Sequence, residues 1–584
     1  SEEEDEMQEV EFASPPEGNI DEYLDAYRAE DDPLRFRKVD GLLESKTPPG
    51  YATRRLLDEE LHAVSADEPV SFGEAERSPS WRKAMMEEMK SIEDNQTWTL
   101  ADLPPGRKAI GLKWVYKVKR DEQGAVSKHK ARLVVKGYAQ QHGIDYDEVF
   151  APVARLDSVR LLVALAADEG WEVHHMDVKS AFLNGDLREE VYVQQPAGFV
   201  VTGKEHKVLK LRKALYGLHQ APRAWNEKLD RTMKSLGFRK SISEPAIYLR
   251  RNIKSQLVVG VYVDDLIITG TNCEDIKLFK EEMAAVFKMT DLGLLKYYLG
   301  IEVRQSKRGI SLSQGAYAAQ ILERNGMKEC NPCQTPMETR LKLSKLSTEP
   351  LVDVTVYRSI VGSLRYLVNT RPDLAFAVGY VSRFLEEPHK DHMMAVKHIL
   401  RYVKGTKNWG LWFGRKGRKE AGLIGYSDSD YAGDVDSRKS TTGVVFFLNN
   451  SPVTWTSMKQ KVVAQSTCEA EYIAAANAAC QTLWLSRVLA EVQGVSLKAP
   501  MLKVDNKSAI ALIKNPVLHG QSKHIEVKYH FVRECAENGQ IKVGFIRSEE
   551  QLGDFLTKPL GKTKFQELRS KVGLVDVDKL HHKA

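Results

Sequence analysis

The chain has 584 residues, 42% apolar and 28% charged, the make-up of ordinary soluble protein but too long for one core, so roughly three to five domains are expected. It contains no run of about eighteen apolar residues, so no membrane-crossing helix is expected, and with so acidic an N-terminus no signal peptide and an intracellular protein are expected. The net charge of +5 divides into −13 on residues 1–32 and hence +18 on the remainder, a cationic body suited to polyanions.

Residues 1–72 are acidic, poor in large apolar side chains and broken by Pro15-Pro16 and Pro48-Pro49, which predicts a disordered leader or linker. A helix follows from Ser80, with Trp81, Met85, Met86 and Met89 at helical spacing. Lys113 to Lys136 alternates around the break Asp121-Glu122-Gln123-Gly124 and predicts a β-hairpin rich in Lys and Arg, suited to nucleotide or nucleic acid. Asp157 is expected to cap a helix that stops at Gly170, followed by a strand from Trp171 to Met176 that ends on Asp177. A helix containing Ala181-Phe182-Leu183, a strand at Val191-Tyr192-Val193 and a helix bearing Trp225, Leu229 and Met233 come next. Tyr297 to Val303 reads as one strand, Tyr357 to Thr406 as helical, and a second α/β unit runs from Leu423 to about Leu560. Six scattered cysteines give no disulfide framework, and the lone Cys330-Asn-Pro-Cys333 reads as two incidental thiols.

Asp264-Asp265 stands out from this background. The pair falls at the tip of a tight hairpin between Leu257 to Val261 and Leu266 to Ile268. An Asp in a turn is usually only a turn residue, yet two adjacent carboxylates at the end of a half-buried ribbon call for a compensating cation. If the strand ending on Asp177 lies beside this hairpin, three carboxylates can hold two Mg²⁺ ions about 3.5–4 Å apart, the arrangement of nucleotidyl transfer. Lys119 and Arg132 on the basic hairpin would clamp a triphosphate. In the C-terminal unit Asp428 ends a strand, Glu471 lies in a helix, Asp505 ends another strand, and Asp554 follows Glu550-Gln551-Leu552-Gly553. Each acid alone is ordinarily surface solvation, but together they suit a two-metal nuclease.

Several ordered stretches carry a specific likeness: Lys130-Ala131-Arg132-Leu133-Val134, Asp147 to Val153, Asp177 to Gly185, Ala214 to Trp225, Tyr262-Val263-Asp264-Asp265 and Tyr298-Leu299-Gly300-Ile301. On these the chain resembles the reverse transcriptase of copia-type LTR retrotransposons. Tyr426-Ser427-Asp428, Ser466 to Tyr472, Val504-Asp505-Asn506 and Glu550 to Asp554 resemble the ribonuclease H fused to such polymerases. The implied fold is α/β (α+β), a right-hand polymerase with fingers, palm and thumb, a connection and a ribonuclease H-fold domain. Its expected boundaries are a leader at 1–72, fingers and palm at 73–304, thumb at 305–345, connection at 346–417, ribonuclease H at 418–565 and a tail at 566–584.

The resemblance implies that Asp177 and Asp264 are principal metal ligands, with Asp265 a lesser companion. Phe182 corresponds to an aromatic steric gate against a ribose 2′-hydroxyl. Tyr216 and Gly217 would line the pocket for nucleotide and template base, and Tyr262 counts among the substrate-contacting residues. His219 departs from the family's usual Lys. Glu469 and Glu471 compete for the helix acid; they lie about 200° apart on a helix and cannot share a face, and Glu471 is preferred. Ile546 to Glu549 lacks the histidine of cellular ribonucleases H, and His524 and His530 are read as structural or substrate-contacting. Gly362 to Leu367 and Arg371 to Leu374 match the family's connection, where no chemistry is expected.

The implied activities are RNA-directed DNA synthesis and hydrolysis of the RNA in a hybrid, with Mg²⁺, two per active site, or Mn²⁺ as cofactor. Partners would be an RNA template, a DNA or tRNA primer, the RNA–DNA hybrid and dNTPs, with no membrane. A homodimer and an association with integrase from the same polyprotein both stay open. Location would be cytoplasmic, within virus-like particles, with nuclear entry. The alternative is a non-catalytic structural subunit or a domesticated nucleic-acid-binding protein that keeps the fold. Loss of Asp177, Asp264, Asp428 or Asp505 would have favoured it, and all four are present.

Overall fold

The computed structural model describes residues 68–120, 126–415, 422–495, 498–515, 525 and 527–582. The acidic leader lies outside these apart from 68–72, as do His524 and the side chain of Lys119.

A six-stranded antiparallel sheet forms the centre of the first half. Its order is Met289–Leu294, Val173–Val178, Asp265–Gly270, Gln256–Tyr262, Ile247–Arg251 and Arg239–Lys240. One face packs on helices Ala221–Ser235 and Cys273–Val286 through Trp225, Leu229, Met233, Ile276, Phe279 and Met283. The other face carries helix Leu156–Glu169. Asp157 does not cap that helix: Arg155 takes the cap position, and Asp157 sits in the first turn with Oδ1 2.5 Å from Arg160 Nη2. The helix ends where predicted, at Gly170, whose φ of +73° a side chain rarely adopts.

The basic hairpin forms as expected, Leu112–Arg120 against Val126–Val135, and helix Pro79–Asp94 buries Trp81, Met85 and Met89 on it while Met86 faces solvent. Two predictions give way to turns. Tyr297 to Val303 is a hairpin of Tyr297–Tyr298 and Ile301–Ser306, reversed at Leu299 and Gly300, both with positive φ. The helix around Phe182 is a single 3₁₀ turn, Ala181–Asn184, entered through Ser180 at φ +49°.

A five-stranded sheet follows, ordered Tyr297–Tyr298, Ile301–Ser306, Gly309–Ser313, Trp409–Gly414 and Leu574–Asp576. Residues 566–582 are thus no free tail, since helix Lys562–Lys571 leads into a strand that pairs with Trp409–Gly414. Beside it, Arg371 is fully buried, donating to both carboxylate oxygens of Asp373 (2.9 and 2.7 Å) and to Thr406. Tyr402 closes this network on Asp373 at 2.7 Å.

The last sheet is mixed. Ser451–Lys459, Thr441–Leu448 and Leu423–Ser429 are antiparallel neighbours, and Met501–Val504 and Lys542–Phe545 continue parallel to Leu423–Ser429. The 27-residue helix Thr467–Gln493 crosses it. This unit is fused to the first through one continuous apolar core. Helix Leu156–Glu169 is wedged between the two sheets, which explains why its middle, Leu161 to Ala167, is a continuous apolar run. Arg160 pins the wedge, donating Nε to Val453 O at 2.8 Å and Nη1 to Asn369 O at 2.9 Å, with its guanidinium 4.0 Å over the Trp455 ring.

Candidate active sites

Strand register places the first acid set. Asp265 stands opposite both Tyr262 and Asp177, so Val263 and Asp264 are the two turn residues, and Asp265 starts the returning strand beside Asp177. Val263 has φ +57°, a costly conformation for a β-branched residue, and the Trp225 indole holds it by donating to Val263 O at 2.7 Å. Asp264 is buried, and its carbonyl accepts from Val178 N at 2.9 Å, tying the turn to the strand of Asp177. Asp177 pairs with Lys179. Asp265 Oδ1 lies 3.0 Å from His175 Nε2. Burial raises the pKa of Asp265; the His175 contact opposes this, and Asp264 and Asp177 reinforce it.

The basic hairpin meets this unit at Tyr216. The Arg132 guanidinium lies 4.5 Å from the Tyr216 ring, and the Phe182 ring lies 5.2 Å from that of Tyr216 between centroids. Tyr216 O accepts from Val135 N at 2.7 Å. Gly217 is required by contact as well as by its φ of +91°, because a Cβ there would stand 2.3 Å from Val135 O. His219 packs on Tyr146 with centroids 4.7 Å apart, and burial lowers its pKa, so it supplies no fixed charge where Lys was expected. Tyr262 packs against the main core at the base of the turn.

The second acid set is tighter. Among the described residues one group of three has ligand atoms all within 4.8 Å of one another, and it is Asp428, Glu471 and Asp505. Asp428 and Glu471 are buried. Burial pushes Asp428 up to about 7 against the opposing charge of Lys558, with Asp554 and Asp505 adding to the rise, and burial followed by Asp428 and Asp505 holds Glu471 well above its ordinary value. Glu471 Oε1 accepts from Ser429 N at 3.1 Å, while its buried Oε2 has no partner among the described residues. Asp428 accepts from Thr557 Oγ1 at 2.5 Å, and Asp505 from Ser548 Oγ at 2.9 Å. Mutual repulsion, burial and an orphaned oxygen are what a bound divalent cation would relieve, so the donor set fits one.

Asp554 stands outside that trio, with Oδ1 2.5 Å from Lys558 Nζ. Glu469 turns back to cap Gln465 N at 2.8 Å. His530 bonds the Tyr472 hydroxyl at 3.0 Å rather than joining the acids. Cys333 donates to carbonyls of Thr335 and His398, and both thiols of the CxxC are free.

Four neighbours of the acids were not singled out from sequence: His175, Lys179, Trp225's bond to the turn, and Lys558. Three carry a signal in hindsight. His175 is two residues from Asp177 along one strand and shares its face, Lys179 follows Asp177 by two in the turn just past the strand, and Lys558 follows Asp554 by four.

The family described as "Reverse transcriptase (RNA-dependent DNA polymerase)" matches residues 95–339. Over 540 residues, 90% of this chain, identity is 43% to the retrovirus-related Pol polyprotein from transposon TNT 1-94 of Nicotiana tabacum. Over 516 residues, 88% of the chain, it is 41% to that from transposon RE1 of Arabidopsis thaliana. A putative transposon Ty5-1 protein of Saccharomyces cerevisiae is 37% identical over 303 residues, which is 98% of that protein and 51% of this chain. The chain belongs to the reverse-transcriptase region of copia-type retrotransposon Pol polyproteins. It spans 40% and 35% of the length of the two Pol polyproteins. The matched span contains Asp177, Asp264 and Asp265 together with Arg132, Phe182, Tyr216 and Gly217, whereas the acids of the last sheet lie beyond it. No described helix of this copia-type chain is long and apolar enough to cross a membrane.

Proposed function

We propose that the chain is an RNA-directed DNA polymerase that also degrades the RNA strand of the hybrid it makes. What carries the reading is the presence of two separate acid sets on two sheets of one chain, the first inside the reverse-transcriptase match. Asp177 and Asp264 would hold Mg²⁺ or Mn²⁺ for polymerisation, with Asp265 a lesser companion carboxylate beside them; Asp428, Glu471 and Asp505, with Asp554 beside them, would hold it for hydrolysis. Bound there, the metal supplies a deprotonated nucleophile and charge stabilisation at the leaving oxygen.

The chain's own residues divide the remaining work. Arg132 would take triphosphate charge, Phe182 would bar a 2′-hydroxyl, and the Tyr216-Gly217 backbone, fixed to Val135, would set the floor of the nucleotide pocket. Lys558 would balance the nuclease carboxylates: burial opposes its charge, but Asp428, Asp554 and Asp505 together raise its pKa. The substrates are dNTPs, an RNA template with a DNA or tRNA primer, and the resulting hybrid, held by phosphate contacts that salt weakens.

The test is primer extension on an RNA template with Mg²⁺, primer and template carrying different labels. Wild type should extend and cut, Asp264→Asn should lose extension alone, and Asp505→Asn should lose cutting alone. A wild-type chain that binds the hybrid yet does neither would overturn the reading in favour of a structural subunit.

A further inference from the structure

The three acids of the first set are not equivalent in their surroundings. Asp264 is buried in the turn, and Asp177 pairs with exposed Lys179. Asp265 is drawn sideways by His175, Nε2 to Oδ1 at 3.0 Å. His175 is itself buried, and its ring is fixed by the edge of Tyr298 with centroids 5.6 Å apart. Tyr298 is fully enclosed, and its hydroxyl has no hydrogen-bond partner among the described residues, so it serves here as a wall and not as a rival donor. The ligand atoms of Asp177, Asp264 and Asp265 do not gather within 4.8 Å as those of the nuclease trio do. The strand pairing sets the backbones of Asp177 and Asp265 side by side, so strand register does not separate that pair.

We infer that His175 is a positioning residue that holds Asp265 out of the metal-ligand set, leaving Asp177 and Asp264 to bind the ions. The inference rests on the polymerase reading for its consequence in catalysis, but not for its consequence in metal binding. A third carboxylate admitted to the site would bind a divalent ion more tightly and blunt its Lewis acidity by added negative charge. His175 prevents this by a directional bond that a neutral amide can also make.

The experiment uses the full chain carrying Asp428→Asn and Asp505→Asn, so that the nuclease acids do not report. Mn²⁺ binding is titrated by electron paramagnetic resonance, and extension kinetics are measured beside it. His175→Ala should tighten Mn²⁺ binding about threefold or more and lower kcat about tenfold, with dNTP KM within about twofold. His175→Gln, which keeps an N–H donor, should return both quantities most of the way, and it also guards against His175→Ala simply failing to fold. In an Asp265→Asn background, His175→Ala should change neither, because the two act as a unit. Equal losses with and without Asp265, unchanged Mn²⁺ affinity, or Gln as impaired as Ala would each overturn the inference. If the chain extends no primer, the polymerase reading falls, and the titration alone decides the role of His175.

Discussion

Asp428→Asn should stabilise the metal-free protein while abolishing hybrid cutting. Asp428 lies almost wholly buried against Glu471 and Asp505, and its pKa is pushed from the ordinary 3.8 to about 7 by burial first, against Lys558, with Asp554 and Asp505 adding to the rise. A shift of that size corresponds to about 4 kcal/mol of destabilisation when the group is ionised. The sign follows from proton counts. Between pH 4 and 7 the folded chain keeps a proton on Asp428 that the unfolded chain has released, so stability falls as pH rises through that window and the full cost is present above about 7. In EDTA at pH 8 the variant should therefore melt higher than wild type; with an unfolding entropy of about 2 cal/mol/K per residue over a chain of this size, roughly 1 °C per kcal/mol, the ceiling is about 4 °C. Lowering the pH to 4 should close most of the gap. Mg²⁺ at about 100 times its Kd should raise the wild type by about 2.7 kcal/mol and the variant by less. The assay is differential scanning calorimetry with and without Mg²⁺ at pH 4, 6 and 8. A variant that melts at or below wild type in EDTA at pH 8, or that gains as much from Mg²⁺, would refute the claim that the trio is a strained, metal-seeking cluster.

Three further outcomes are expected. Arg160→Ala leaves Val453 O and Asn369 O without their donor and should cost about 3–5 kcal/mol, read as a lower urea midpoint and as faster proteolysis between the two halves. Gly217→Ala forces a Cβ to 2.3 Å from Val135 O at a φ of +91°, so extension should fall by at least about tenfold while cutting persists in the dual-label assay. Trp225→Phe removes the donor that restrains Val263 and leaves a small cavity in the core, so kcat for extension should drop about tenfold along with a melting temperature a few degrees lower; an unaltered kcat would show that the turn keeps its shape unaided.

What the sequence made legible was mostly what is local. Alternation around Asp264-Asp265 exposed a hairpin because the turn has only two residues, and the run Ala221 to Ser235 showed its buried face through Trp225, Leu229 and Met233. The stretch Leu161 to Leu165 was readable as a helix, but not as one with sheets on two sides, since periodicity reports how much of a surface is apolar and not what covers it. Tyr297 to Val303 misled because Leu299 adopts positive φ ahead of Gly300, and only the glycine gave a hint. Leu574 to Asp576 gave none, its partner strand Trp409–Gly414 lying more than 150 residues away. The same distinction holds at the sites. Acids at strand ends could be found singly, whereas the bond from His175 to Asp265 depends on a cross-strand register that no linear pattern displays.

The helix from Leu156 to Glu169 has a consequence for inheritance. Because it fills the space between a sheet that carries one acid set and a sheet that carries the other, neither half of the gene encodes a finished surface. An exchange between related elements that joined the front of one to the back of another would seat this rod against a foreign floor, with Arg160 searching for carbonyls that had moved. Changes on either side of the seam are therefore tolerated only as matched sets, and lineages should pass the two halves on together.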